Sequence, residues 1–189
     1  VADVVVHGAH PRVRDAQRLH YLATRDELTG HLNRTSLRSE LSRAISAAKA
    51  EGRTCAYRVA SIDRLAVIID AYGFGASDEV IVAVGERLSS SLRGTDVIGR
   101  TAGNKFGVIV RNCSDREISL VAERLRACVR ANVICTRAGT VSATVSLGAV
   151  CLPVSAPSSQ EAMLRAEEAL EQARSKGRDG FAIYAKSAQ

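Results

Sequence analysis

The chain has 189 residues, 46% of them hydrophobic, no tryptophan and a formal net charge of +6. That length supports one domain with a real core, and no apolar run approaches the ~20 residues of a membrane-spanning helix. The positive charge points weakly to an anionic partner, but no helix-turn-helix, zinc finger or aromatic RNA-binding strand is present, which argues against nucleic acid.

Val1-Ala-Asp-Val-Val-Val6 is too short for a signal peptide and lacks a basic leader, so the chain is expected to begin within a longer protein. Residues 11–25 predict a helix with Val13, Leu19 and Leu22 at helical spacing, a connector from an upstream module. Thr29-Gly30 breaks it. Residues 35–49 predict an amphipathic helix, with Leu37, Leu41, Ile45 and Ala48 against Arg38, Glu40 and Arg43. Glu51-Gly52 ends that helix.

Residues 55–62 predict a strand, with Asp63 at its end. Residues 64–71 predict a short helix, Tyr72-Gly-Phe-Gly75 a turn, and Ser77 or Asp78 a cap for the next helix, whose apolar face is Val80, Val84 and Leu88. That helix ends at Arg93, and Asp96 follows three residues later. A short strand, the hairpin turn Ala102-Gly-Asn-Lys105 and a second apolar strand from Phe106 come next. Residues 114–131 predict an amphipathic helix capped by Ser114 or Asp115. Residues 141–152 predict one long strand, broken by Pro153 and Pro157. A helix over 159–175, stopped by Gly177, leads to a closing strand over 181–184. This order predicts an α/β domain with helices on a mostly antiparallel sheet. Cys55, Cys113, Cys128, Cys135 and Cys151, odd in number and unpatterned, predict reduced thiols in a cytoplasmic domain.

Five motifs stand in one order along the chain. They are Asp26-Glu-Leu-Thr-Gly30-His-Leu-Asn-Arg34, Tyr72-Gly73 with Asp78, the hairpin Ala102-Gly-Asn-Lys-Phe106, Val145-Ser-Leu-Gly148, and Ala166-Glu-Glu-Ala-Leu170 through Arg174-Ser-Lys-Gly-Arg178. Together they resemble the GGDEF domains, the family that makes cyclic di-GMP from two GTP. The resemblance implies a nucleotidyl-cyclase-like fold with a ferredoxin-like core over residues 26–186. It leaves 1–25 as an N-terminal segment and connector helix and 187–189 as a tail.

The resemblance also implies where the chemistry is missing. The family holds Mg²⁺ with one carboxylate at the end of the first strand and another from the signature hairpin. These positions fall on Ser61 and Asn104, two neutral groups where Mg²⁺ prefers anionic oxygens. The Mg²⁺ site is therefore expected to be lost. Asp63 is two residues from Ser61, roughly 6–7 Å along the strand, and could not replace it without a backbone shift. Lys105 stands where the family has another acid. It is either a surface lysine in a tight turn or a charge that offsets phosphate. Ile69 takes the place of a guanine-binding Asn, and Asp78 matches the family's guanine-binding Asp or caps its helix. Arg174 and Arg178 keep the two phosphate-contacting cations, or are an exposed basic helix end.

Arg93-Gly-Thr-Asp96 is similar to the family's RxxD inhibitory site, and its supporting arginine falls on Arg124. Arginine forks onto phosphate or a guanine edge, and aspartate accepts from guanine N–H groups. Otherwise Arg93 and Asp96 are a surface pair worth little. The expected function is a catalytically inactive regulatory domain of a bacterial cyclic di-GMP signalling protein, with cyclic di-GMP bound at Arg93, Asp96 and Arg124. An upstream sensor, a downstream EAL phosphodiesterase domain and a homodimer are the expected partners. The alternatives are a structural dimerisation module without ligand and an active cyclase with an atypical metal site.

Overall fold

The computed structural model describes residues 11–185. The opening residues read above and the expected tail over 187–189 lie outside them. α1 (Pro11–Thr24) leads to α2 (Arg34–Glu51), β1 (Cys55–Ile62), α3 (Leu65–Ser90), β2 (Val97–Ala102), β3 (Lys105–Arg111) and α4 (Asp115–Arg130). Then come β4 (Ile134–Thr136), β5 (Gly139–Val141), β6 (Val145–Leu152), α5 (Ser159–Ser175) and β7 (Phe181–Ile183).

Five strands form one sheet in the order β2-β3-β1-β6-β7, antiparallel except for the parallel pair of β6 and β7. β1 is central and every one of its residues is buried, which is why it reads as an almost unbroken apolar run. α2 and α5 cover one face through Leu37, Leu41, Tyr57, Ile109, Val150 and Leu170. α3 and α4 cover the other through Val80, Val84, Phe106, Val108, Leu125 and Leu147.

Helix boundaries follow local chemistry. The Asn33 side chain accepts from Ser36 N at 2.9 Å to start α2, and Gly52, at φ 63°, closes it in the left-handed region. The Glu117 carboxylate accepts from Ser114 N at 2.9 Å, so Ser114 and not Asp115 caps α4.

Two expectations are corrected and one is narrowed. The turn expected at Tyr72-Gly-Phe-Gly75 does separate two helical legs, but it is shorter than four residues. Gly73, at φ 85°, breaks α3 in a single residue, and Phe74 and Gly75 are already helical. With no intervening loop, neither Ser77 nor Asp78 caps the second leg. The buried Ser77 hydroxyl instead donates to Phe74 O at 2.7 Å. The single strand expected over 141–152 is split. Val141 ends β5, which pairs with β4 in a separate two-stranded sheet, and only Val145–Leu152 joins the main sheet. Three-residue strands are too short for a periodicity to mark them. The helix expected over 11–25 is present as α1, and its Val13, Leu19 and Leu22 are exposed. No described helix is long and apolar enough to cross a membrane.

All five cysteines are free. Burial pushes the Cys55 thiol up to about 11 and the Cys151 thiol up to about 12, whereas Cys135 is exposed. Native protein at pH 8 should therefore give a fast reaction of Cys135 with Ellman's reagent, with Cys55 and Cys151 reacting only in denaturant. Peptide mapping of the labelled thiols checks this, and fast native labelling of Cys55 or Cys151 would contradict it.

Candidate functional site

The loop before α2 positions the signature hairpin. Asp26 accepts from Thr29 N at 2.9 Å, from Thr29 Oγ1 at 2.8 Å and from Arg100 Nη1 at 3.2 Å. Burial works against its charge, but these donors hold the Asp26 carboxyl below the usual range. Arg100 N also donates to Leu32 O at 2.8 Å, and Arg100 Nη2 to Gly103 O at 2.9 Å. The first motif is thus a clamp on β2 and on the turn it leads into.

That turn is two residues long, Gly103-Asn104, and β3 pairs with β1 so that Lys105 lies opposite Ser61. Asn104 O accepts from Ile62 N at 2.9 Å, which draws the turn over the end of β1. Ser61 is fully buried, and its Oγ accepts from Asn104 Nδ2 at 3.2 Å. The two positions identified from the sequence therefore meet, as a neutral hydroxyl bonded to a neutral amide.

Around this pair the charged groups are committed elsewhere. The Lys105 Nζ lies 2.7 Å from Glu167 Oε2 on α5. Asp63 is buried and accepts from Thr144 Oγ1 at 2.8 Å, Ser146 Oγ at 2.7 Å and Asp179 N at 3.1 Å. Its carboxylate fastens β6 and the segment before β7 to the end of β1. Ile69 is half-buried and Asp78 is exposed. Arg174 pairs with Glu171 at 3.1 Å, while Arg178 is exposed at φ 64°.

On the far side of the sheet, Arg93 and Asp96 close one turn. Arg93 N donates to Asp96 Oδ2 at 2.9 Å, and Asp96 N donates to Arg93 O at 3.0 Å. Asp96 Oδ1 also accepts from Arg111 N at 3.3 Å. The aspartate is therefore a structural tie as well as a candidate ligand. Both Arg93 and Arg124 are exposed, and neither guanidinium has a salt-bridge partner among the described residues. The Glu117 carboxyl in the first turn of α4 is held low by its Ser114 hydrogen bonds, with a smaller contribution from the Arg93 charge.

The sequence profile described as "Diguanylate cyclase, GGDEF domain" matches residues 23–180. The chain belongs to the GGDEF family. Its GGDEF domain is 32% identical over 157 residues to YhcK of Bacillus subtilis, covering 82% of this chain and 44% of YhcK. It is 28% identical over 166 residues to MucR of Pseudomonas aeruginosa, a bifunctional diguanylate cyclase/cyclic di-GMP phosphodiesterase, covering 88% of this chain and 24% of MucR. The chain thus spans less than half the length of either relative. Among solved structures it superposes on the coiled coil and GGDEF domain of DgcB from Caulobacter crescentus in complex with c-di-GMP. The TM-score is 0.83 at 26% identity, with 91% of this chain and 92% of that one covered. The GGDEF domain of YfiN from Pseudomonas aeruginosa superposes with a TM-score of 0.82 at 26% identity, covering 85% of this chain and 94% of that one.

One residue of this GGDEF domain escaped the sequence reading. Arg58, in the middle of β1, is fully buried under α4. Its Nη2 donates to Ile118 O at 3.0 Å and lies 3.6 Å from Cys113 Sγ, while Nε and Nη1 have no partner among the described residues. Burial lowers its proton affinity, and the charges of Asp96 and Arg124 both reach it. A lone arginine within an apolar strand was the available signal. A buried cation with more than half of its donors unmet is costly. Replacing it with an apolar side chain of similar length, Arg58→Met, should raise stability by about 1–3 kcal/mol. Urea unfolding checks this, and a destabilised variant would mean that the Ile118 bond outweighs the desolvation.

Proposed function

We propose that this GGDEF domain does not cyclise GTP and works as a regulatory domain that takes cyclic di-GMP at Arg93, Asp96 and Arg124. The observation that carries the first half is the Asn104–Ser61 hydrogen bond at 3.2 Å. Mg²⁺ takes hard, preferably anionic oxygens in near-octahedral geometry. A hydroxyl and an amide that satisfy each other do not fit it, and no group of three His, Cys, Asp or Glu side chains among the described residues replaces them. Asp63 is spent on three donors, and Ile69 offers no amide to guanine. Asp78, Arg174 and Arg178 remain as traces of a nucleotide site.

The second half rests on cations free to bind. Arg93 is exposed in the turn that fixes the Asp96 carboxylate, and Arg124 is exposed on α4, residue types suited to phosphates and guanine edges. The bound c-di-GMP of the DgcB complex supports the choice of ligand. Because the chain matches only part of longer relatives, the reading includes a cytoplasmic signalling protein with an upstream sensor and a downstream EAL domain. The exposed Val13, Leu19 and Leu22 favour a second reading, a dimerisation module without ligand.

The deciding experiment pairs GTP turnover, with Mg²⁺ or Mn²⁺, with calorimetric titration of cyclic di-GMP. No product above a no-enzyme control together with saturable binding is expected. Formation of cyclic di-GMP sinks the first half. No heat at high micromolar ligand sinks the second and leaves the dimerisation module.

A further inference from the structure

A cleft of about 200 Å³ opens between α2 and α5, on the sheet face opposite α3 and α4. Arg34 and Arg38, one helical turn apart on α2, form one wall. Gln160, Met163, Leu164 and Glu167, on one face of α5, form the other. Tyr57 of β1 and Thr101 of β2 make the floor. None of this belongs to the Ser61–Asn104 pair or to the Arg93 turn.

Two features mark the cleft as built to receive something. Tyr57 is only 1% exposed, and its hydroxyl, which makes no hydrogen bond to another described residue, opens into the cleft in the field of Arg34 and Glu167. The second feature is the balance of charge. Glu167 is engaged by Lys105 at 2.7 Å. Arg34 makes only one long contact, Nη1 to Thr101 O at 3.5 Å, and Arg38 is exposed without an ion pair among the described residues. Unspent cationic donors therefore face an unpaired phenol, with Met163 and Leu164 as an apolar wall.

We propose that this cleft binds a small amphipathic carboxylic acid. The guanidinium groups of Arg34 and Arg38 would take the carboxylate, the Tyr57 hydroxyl would donate to one of its oxygens, and Met163 and Leu164 would cover a short apolar body. Guanidinium forks match a carboxylate's planar pair of oxygens. The volume lies below the ~300–1,000 Å³ of sites for drug-sized ligands, which excludes a dinucleotide and fits a body of a few carbons. The Lys105–Glu167 pair on the rim links the cleft to the signature turn.

The test is an amide chemical-shift titration of the 189-residue chain with hexanoate, with hexanol and inorganic phosphate as comparison probes. Hexanoate should give saturable shifts confined to residues around the cleft, at roughly millimolar concentration for so small a ligand. Hexanol and phosphate should give no shifts there. Arg34→Ala and Arg38→Ala, both at exposed positions, should leave the rest of the spectrum unchanged and weaken hexanoate at least tenfold. Tyr57→Phe should weaken it severalfold. Shifts that do not saturate, hexanol or phosphate acting as strongly as hexanoate, or binding unchanged in the Arg34→Ala/Arg38→Ala variant would each overturn the proposal.

Discussion

Gly148→Ala should cost more than about 4 kcal/mol, enough to leave the domain largely unfolded at 37 °C. Gly148 lies in β6, directly beneath α5. A Cβ placed there would sit 2.0 Å from Ala166 O and 2.3 Å from Leu170 N, the two ends of one helical hydrogen bond. Both are backbone atoms, so no rotamer change relieves the clash. α5 reaches the sheet this closely because it presents Ala162, Ala166, Ala169 and Ala173, all buried. Lifting the helix would open that seam and loosen Met163 and Leu170, for which a close-packed interior has no substitute. Gly103→Ala is the control. Its Cβ would meet nothing within 4 Å, and stability should change by less than about 0.5 kcal/mol. Urea unfolding of both variants decides the matter, and a Gly148→Ala protein within about 1 kcal/mol of wild type would refute the argument.

The glycine of Val145-Ser-Leu-Gly148 was legible as a motif, but its reason was not. The same contrast runs through the whole chain. Strand Cys55–Ile62 and helix Ser159–Ser175 stand at their expected limits, because each is bounded by local chemistry: an apolar run before Asp63, and the Ser158 and Gly177 flanks. The break in α3 is shorter than the expected turn because one positive-φ glycine does the work of a loop. The β4–β5 pair was missed because three-residue strands leave no period to count.

At the site, the meeting of Ser61 with Asn104 was readable only from the family resemblance, in which both positions hold one Mg²⁺; the two-residue turn sets the β2–β3 pairing and not that of β3 with β1. The fates of the neighbouring charges were not. Lys105 finds Glu167 at a distance of 62 positions, Arg58 finds Ile118 at 60, and Asp63 gathers Thr144 and Asp179 from 81 and 116 positions away. No local pattern encodes such partners, because α5 and β6 come together only when the sheet is assembled. Arg58 is the sharpest case. In sequence it is an interruption in a strand, and only the fold reveals that α4 lies over it.

Arg93→Ala and Arg124→Ala should each weaken cyclic di-GMP binding by at least tenfold with no change in melting temperature, whereas Asp96→Ala should lower both. The three residues look equivalent in the sequence, and the structure separates them. The guanidinium groups of Arg93 and Arg124 are exposed and make no hydrogen bond to another described residue, so truncation removes nothing from the fold. What it removes is a charge-assisted bond to ligand, ordinarily ~1.5–3 kcal/mol, or about ten- to a hundredfold in affinity. Asp96 differs because its carboxylate accepts from Arg93 N and Arg111 N. Asp96→Ala leaves both N–H groups short of an acceptor, loosens the turn between α3 and β2, and moves Arg93 with it. A cost of about 1–3 kcal/mol in stability follows, on top of any lost contact to guanine. Asp96→Asn keeps one acceptor oxygen but turns its NH2 toward the other backbone N–H, so it should recover only part of the stability and none of the affinity. Because the ligand carries two negative charges, wild-type affinity should also fall as salt rises from 50 to 500 mM, and the slope should flatten in Arg93→Ala. Calorimetry beside thermal melts of each variant gives the answer. Equal losses of affinity and of melting temperature across all three substitutions would mean that the turn is merely structural.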